Sequence, residues 1–115
     1  MKLMTKEIEK KLPALYSQDG KPAEDVKIIV KFFAPWNNWK WFVTEGEYDN
    51  DKKTWVFFGL VKGFETELGY FTLAELESIQ GPYGMKIERD RNFSRTLAEV
   101  KAGKIFVKIA IYNRS

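Results

Sequence analysis

Three short carboxylate groups are the residues best equipped for chemistry: Glu45 with Glu47, Glu65 with Glu67, and Glu88 with Asp90. Two carboxylates meeting in a cleft can run acid–base catalysis or hold magnesium through oxygen ligands. Neither glutamate pair has a recognised metal-binding spacing, and strand-end glutamates are ordinarily solvated or paired with lysines across a sheet. Histidine and cysteine are both absent. That removes the triad arrangements, thiolate zinc sites and most transition-metal sites, so no cofactor or metal is expected.

The tryptophans make the most unusual segment. Trp36, Trp39 and Trp41 fall in one short stretch with Asn37, Asn38 and Lys40 between them. Trp39 and Trp41 are two apart and share a face if the segment is extended. Exposed, such rings stack on bases or sugars or anchor a partner protein. Buried, they are core, the ordinary place for tryptophan and the expectation for Trp41.

Gly81-Pro82-Tyr83-Gly84 superficially matches a phosphate-cradling or nucleic-acid loop. A phosphate loop needs a lysine and a following helix N-terminus, and neither is present. The Gly-x-x-Gly loop of the KH fold joins two helices, whereas Met85-Lys86-Ile87 reads as extended. A helix cap at Gly81 and a turn account for both glycines. Glu88-Arg89-Asp90-Arg91 alternates in sign, which fits an ion-pair patch fixing an irregular segment. An arginine flanked by acids can also clamp a planar anion, and nothing in the sequence selects that reading.

The elements that must position these residues are legible from period and punctuation. Thr5 is an N-cap for a helix over Lys6 to Leu12, with Ile8, Leu12 and Leu15 at helical spacing and Pro13 ending it. Val26, Ile28, Val30 and Phe32 predict a strand with all four on one face and Lys27 and Lys31 on the other. Trp39 to Tyr48 predicts a second strand, and Asp49-Asn50-Asp51-Lys52-Lys53 a turn into a third, Thr54 to Lys62. That third strand is apolar on both faces, which marks it as central and doubly covered, with Gly59 at a bulge or close backbone approach. A fourth strand runs from about Glu65 to Phe71. Thr72-Leu73-Ala74-Glu75 is a capping box opening a helix to Gln80, with Leu73, Leu76 and Ile79 buried. Thr96-Leu97-Ala98-Glu99 repeats the signature, with a stop at Gly103, and Ile105, Val107, Ile109 and Ile111 alternate in a final strand. Short connections favour an antiparallel meander. The expected fold is α+β: an antiparallel five-stranded meander-type sheet with two or three short helices packed on one face.

The chain has 115 residues, 44% hydrophobic and 16% aromatic, enough for one domain over 1–115 with its own core. Nineteen basic against sixteen acidic residues leave a formal +3. Lysines alternate with glutamates rather than gathering in a stripe, so nucleic-acid binding is expected to be weak at most. No apolar run approaches the ~20 residues of a membrane helix. The first residues are charged with no apolar stretch behind them, so no signal peptide, no membrane association and a cytoplasmic location are expected.

An ordered set of motifs points further. Lys31-Phe32-Phe33-Ala34-Pro35, Trp41-Phe42-Val43-Thr44-Glu45, Phe58-Gly59-Leu60, Glu67-Leu68-Gly69-Tyr70, Leu73-Ala74-Glu75-Leu76, Gly81-Pro82-Tyr83-Gly84 and Ile87-Glu88-Arg89-Asp90 together resemble the bacterial domain-of-unknown-function family number 2958. The resemblance covers about residues 26–100. It implies a small single-domain protein of plasmids and integrative elements, with no established activity. Family members commonly carry a histidine before the phenylalanine that follows the Glu-Arg-Asp segment; here Asn92 precedes Phe93, which undercuts any mechanism using it.

Glu45, Glu67, Tyr70, Arg89 and Asp90 all lie in segments that carry the resemblance. With Glu45 and Glu67 on either side of the third strand, Arg89 is expected to reach between them in a structural ion network. The functional expectation is a small accessory or binding module acting on an unidentified protein partner. The alternatives are a nucleic-acid-associated domain using Trp36, Trp39, Lys40, Lys27 and Lys31, and a carboxylate enzyme using Glu45 and Glu67. An aromatic patch without a deep cleft favours the first, and an aromatic patch rimmed by lysines the second. A concave pocket with two carboxylates of raised pKa favours the third.

Overall fold

Short connections and period-two apolar runs leave the chain little choice but to fold back strand by strand, and the computed structural model, which describes residues 2–102, shows this. Helix α1 (Lys6–Lys11) is capped by Thr5, whose hydroxyl accepts from the Ile8 N–H. Strands β1 (Val30–Phe33), β2 (Lys40–Asp49), β3 (Thr54–Lys62) and β4 (Thr66–Thr72) follow as an antiparallel meander. Helix α2 (Leu73–Ser78) opens on the expected capping box, with Thr72 and Glu75 each bonding the other's backbone N–H. Strand β5 (Glu88–Asp90) then crosses the sheet to pair antiparallel with β1, and α3 (Leu97–Ala102) closes the described chain.

Among the described residues the sheet order is β4-β3-β2-β1-β5. Thr54–Lys62 is therefore interior, as its two-sided apolar run requires, although β2 rather than β3 holds the centre. A side chain on Gly59 would collide with the backbone of Phe42 and Val43, the close approach expected there. The fifth described strand, Glu88–Asp90, is too short to show alternation. The strand expected over Ile105–Ile111 lies outside the described residues, as does the stop at Gly103.

Two clusters cover the two faces. On one face Val30, Phe32, Trp41, Val43, Phe57 and Phe71 pack beneath Leu76 of α2, with Ile8 of α1 and Leu12 just beyond it against them. On the other, Phe42 and Leu60 pair across β2 and β3 and meet Ile28, Phe93, Leu97 and Val100. Two helices thus share a face as expected, but α3 takes the opposite one. The reason is that Phe42 and Leu60 point away from the first cluster and need their own cover, which a segment of six helical residues is long enough to supply.

Two further expectations are corrected by the same geometry. Ile28 does not share a face with Val30 and Phe32, because the chain leaves β1 there: the Ile28 N–H donates to the Arg95 carbonyl and Lys27 bridges to Thr96. Gly81 is not a left-handed helix cap. Helix α2 ends at Ser78 with Ile79 as its extended C-cap, and Gly81 has φ −98°. Its lack of a side chain instead makes room for the Trp36 ring.

Candidate functional site

The residues expected to act together are dispersed. Glu67 lies on β4, one edge of the sheet, and Arg89 on β5, the other edge. They stand in one cross-sheet row, Glu67–Val61–Trp41–Phe32–Arg89, four strand spacings apart, or about 19 Å. No side chain bridges that distance, so the Arg89 network with Glu45 and Glu67 does not form. Arg89 Nη1 instead donates to the carbonyls of Lys2 and Leu3, tying the N-terminal segment over the first cluster. Asp90 pairs with Lys31 at 3.6 Å across β1 and β5 and accepts the Asn92 N–H at 3.1 Å.

The tryptophans divide between core and surface. Trp41 is buried; Trp36 is half-buried against Gly81. Trp39 stands between Trp41, 5.8 Å away, and Phe64, 5.3 Å away and edge-on. Lys40 bonds the Asn38 carbonyl through its ammonium at 3.3 Å. The opening beside Trp39, a groove of about 500 Å³, carries Glu65 and Glu67 and no lysine. Lys31 belongs to the other face, paired in register with Phe42. The lysine-rimmed aromatic patch is therefore not assembled.

Glu45 is the carboxylate with the most defined surroundings. Between Val43 and Glu45 the β2–β3 register slips by one residue. Thr44 and Glu45 consequently both oppose Phe58, and the Thr44 hydroxyl donates to the Phe58 carbonyl at 3.1 Å. The bulge turns Glu45 away from the Val43 face and onto the row Glu45–Phe58–Tyr70. There its side chain, only 3% exposed, accepts the N–H of Tyr16 at 2.7 Å and of Gln18 at 3.1 Å. A buried carboxylate so held pins the 13–19 loop to the sheet. Tyr16 adopts a left-handed backbone, φ 72°, and projects outward.

Around that anchor the surface is aromatic. Tyr16 is 62% exposed, Tyr70 55% and Phe64 95%, with Tyr48 and Leu68 also open to solvent. Tyr16 and Tyr70 meet edge-on at 6.3 Å, and Tyr70 lies 4.9 Å from Phe58. A hydrogen bond with the Tyr16 hydroxyl, aided by slight desolvation and by the nearby Asp19 and Glu45 charges, raises the Tyr70 phenol above its ordinary value. A second groove, about 620 Å³, runs from Tyr16 and Tyr70 to Tyr48 and the β2–β3 turn. Tyr70 borders both grooves.

Of the site residues expected from the sequence, only Tyr70, Trp39 and Glu67 border these grooves, and Glu45 supports one of them from beneath. Tyr16, Tyr48, Phe64 and Leu68 join them from outside that set. The sequence does carry one signal for two of these. Phe64 sits in the Gly63-Phe64-Glu65 turn, where an aromatic has no core to reach, and Leu68 and Tyr70, two apart on β4, share the face opposite to the core residue Phe71. Among the described residues no three potential ligands gather as a metal ion needs, and no helix is long and apolar enough to cross a membrane.

A family model described as "Protein of unknown function (DUF2958)" matches residues 3–105. The chain belongs to that family. No curated protein and no solved structure matches it.

Proposed function

We propose that this DUF2958 protein is a small binding module that acts by protein–protein contact through the aromatic surface around β4. The observation that carries this reading is the exposure of Tyr16, Leu68 and Tyr70 together on one face of an edge strand, with Phe64 against Trp39 on the other side of that edge. Large apolar side chains gathered on one surface mark contact sites on soluble domains, and tyrosine is a favoured anchor. Strand β4 carries neither lysine nor proline, the residues that commonly blunt an edge against pairing. The setting we infer, a plasmid or integrative element, rests on the family resemblance. The nucleic-acid reading is less well supported, because the charges beside Trp39 are Glu65 and Glu67. The enzyme reading lacks its central feature, since Glu45 and Glu67 do not share a groove.

Photo-crosslinking residues placed at 64, 68 and 70 test the proposal, with position 77 on the exposed side of α2 as the control. One protein species captured at the three positions and not at 77 is expected. Its binding, re-measured with purified components, should weaken about tenfold or more in Leu68→Glu. Equal capture at 77, or binding untouched by Leu68→Glu, overturns it.

A further inference from the structure

The groove between Tyr16, Tyr48 and Tyr70 has a charge opposite to that of the molecule. The chain carries a formal +3, yet the groove is bordered by Glu47, Asp49 and Asp51 against Lys52. Asp49 is held in its ionised form: the Lys52 N–H, the Asp51 N–H and the Lys52 charge lower its carboxyl below the ordinary value despite slight desolvation. Its Oδ1 accepts those two N–H groups at 3.0 and 2.9 Å, which fixes the turn that forms one end of the groove. The other end is fixed by Glu45 through the Tyr16 and Gln18 backbone. The groove is thus built on two pinned loops with the Tyr16 and Tyr70 rings between them, while the Tyr48 ring turns to the opposite face against Trp55.

From this we infer that the groove receives an arginine side chain from a basic, extended segment of the protein partner. The inference rests on the contact reading above and names the partner's chemistry. Carboxylates that do not converge on one point cannot enclose a metal ion, but they can receive a guanidinium, whose donors spread in a plane. Tyrosine faces add cation–π attraction, and arginine is its commonest partner. The same acidic rim repels a phosphate backbone.

The test is a ¹⁵N–¹H shift titration of the full chain with a short acetylated, amidated peptide of alternating glycine and arginine. Saturable shifts at Tyr16, Tyr48 and the 49–52 turn are expected. The same peptide with citrulline, neutral but nearly isosteric, should bind at least about threefold more weakly. Tyr70→Ala should weaken the arginine peptide about two- to fivefold, while Tyr70→Phe, which keeps the ring, should not. Citrulline binding equally, or shifts gathered at Glu65 and Glu67 instead, overturns the inference. Position-specific crosslinks with no arginine shifts in this groove defeat the arginine assignment alone. Groove shifts without crosslinks at 64, 68 and 70 defeat the β4 contact reading and leave the groove standing.

Discussion

The indole of Trp36 occupies the space that any side chain on Gly81 would need. A Cβ built at Gly81 falls well inside contact distance of three atoms of the Trp36 ring. Since Gly81 has an ordinary φ of −98°, the requirement for glycine here is steric and not conformational. Gly81→Ala is expected to cost about 1–3 kcal/mol, the range for overpacking. Gly69→Ala on β4 meets nothing within 4 Å and should stay within about 0.5 kcal/mol of the parent. Denaturant unfolding measures both. A Trp36→Leu background should relieve most of the Gly81→Ala loss, and strict additivity of the two changes would refute the contact.

Glu45 supports the loop that carries Tyr16. Removing its carboxylate leaves the Tyr16 and Gln18 N–H groups without their acceptors, so Glu45→Ala should cost about 2–3 kcal/mol. The local signature is faster hydrogen exchange at those two amides, with exchange at Leu60 in the sheet much less affected. Unchanged exchange at Tyr16 would show that the loop is held by something else.

Glu45 also shows where sequence reading stops. Thr54–Lys62, the Thr72 capping box and the Asp49 turn are all legible, because each depends on neighbours within a few positions. The bulge at Thr44 is a cross-strand event, and a single extra residue moves Glu45 to the other face. The side chosen by α3 is equally hidden, since Leu97 and Val100 declare an apolar face without saying which half of the sheet receives it. Glu88–Asp90 has three residues and no alternation to read, so nothing local reveals that Arg89 pairs beside β1 and far from Glu67. The candidate site is the least legible part, because exposed aromatics look like core aromatics until the sheet edge is known.

The raised pKa of Tyr70 has a sign that can be checked. A folded phenol that ionises later than the unfolded one binds more protons over that interval. Its contribution to stability is fully present below the ordinary tyrosine value of 10.0 and is lost as pH rises through the higher folded value. Ultraviolet titration of phenolate should show one late tyrosine. In Tyr16→Phe, which removes the hydroxyl partner, the late step should move toward the ordinary range; a step that stays in place would assign the shift to another cause.

Nucleic acid should bind weakly and with strong salt dependence. A formal +3 on a surface of mixed sign releases few counterions, and Lys31 is already paired with Asp90. Fluorescence anisotropy with labelled single-stranded DNA at physiological salt is expected to show no binding tighter than about micromolar. Submicromolar affinity would return Trp39 and Lys40 to the centre of the functional reading.

Arg89 and Glu67 stand at opposite edges of the sheet, and their variants should part company. Arg89 holds the carbonyls of Lys2 and Leu3, and Leu3 and Met4 are buried in the larger cluster. Arg89→Ala leaves those carbonyls without a charged donor and loosens a segment that covers the core, so a loss of about 1–3 kcal/mol is expected. Glu67 is exposed on the edge strand beside Trp39, and Glu67→Ala should change stability by no more than about 0.5 kcal/mol. The double variant should show the sum, because residues so far apart share no partner. Thermal melts of the three variants decide the matter: equal losses in the two single variants, or a double variant no worse than either, would restore a shared ion network and contradict the strand order.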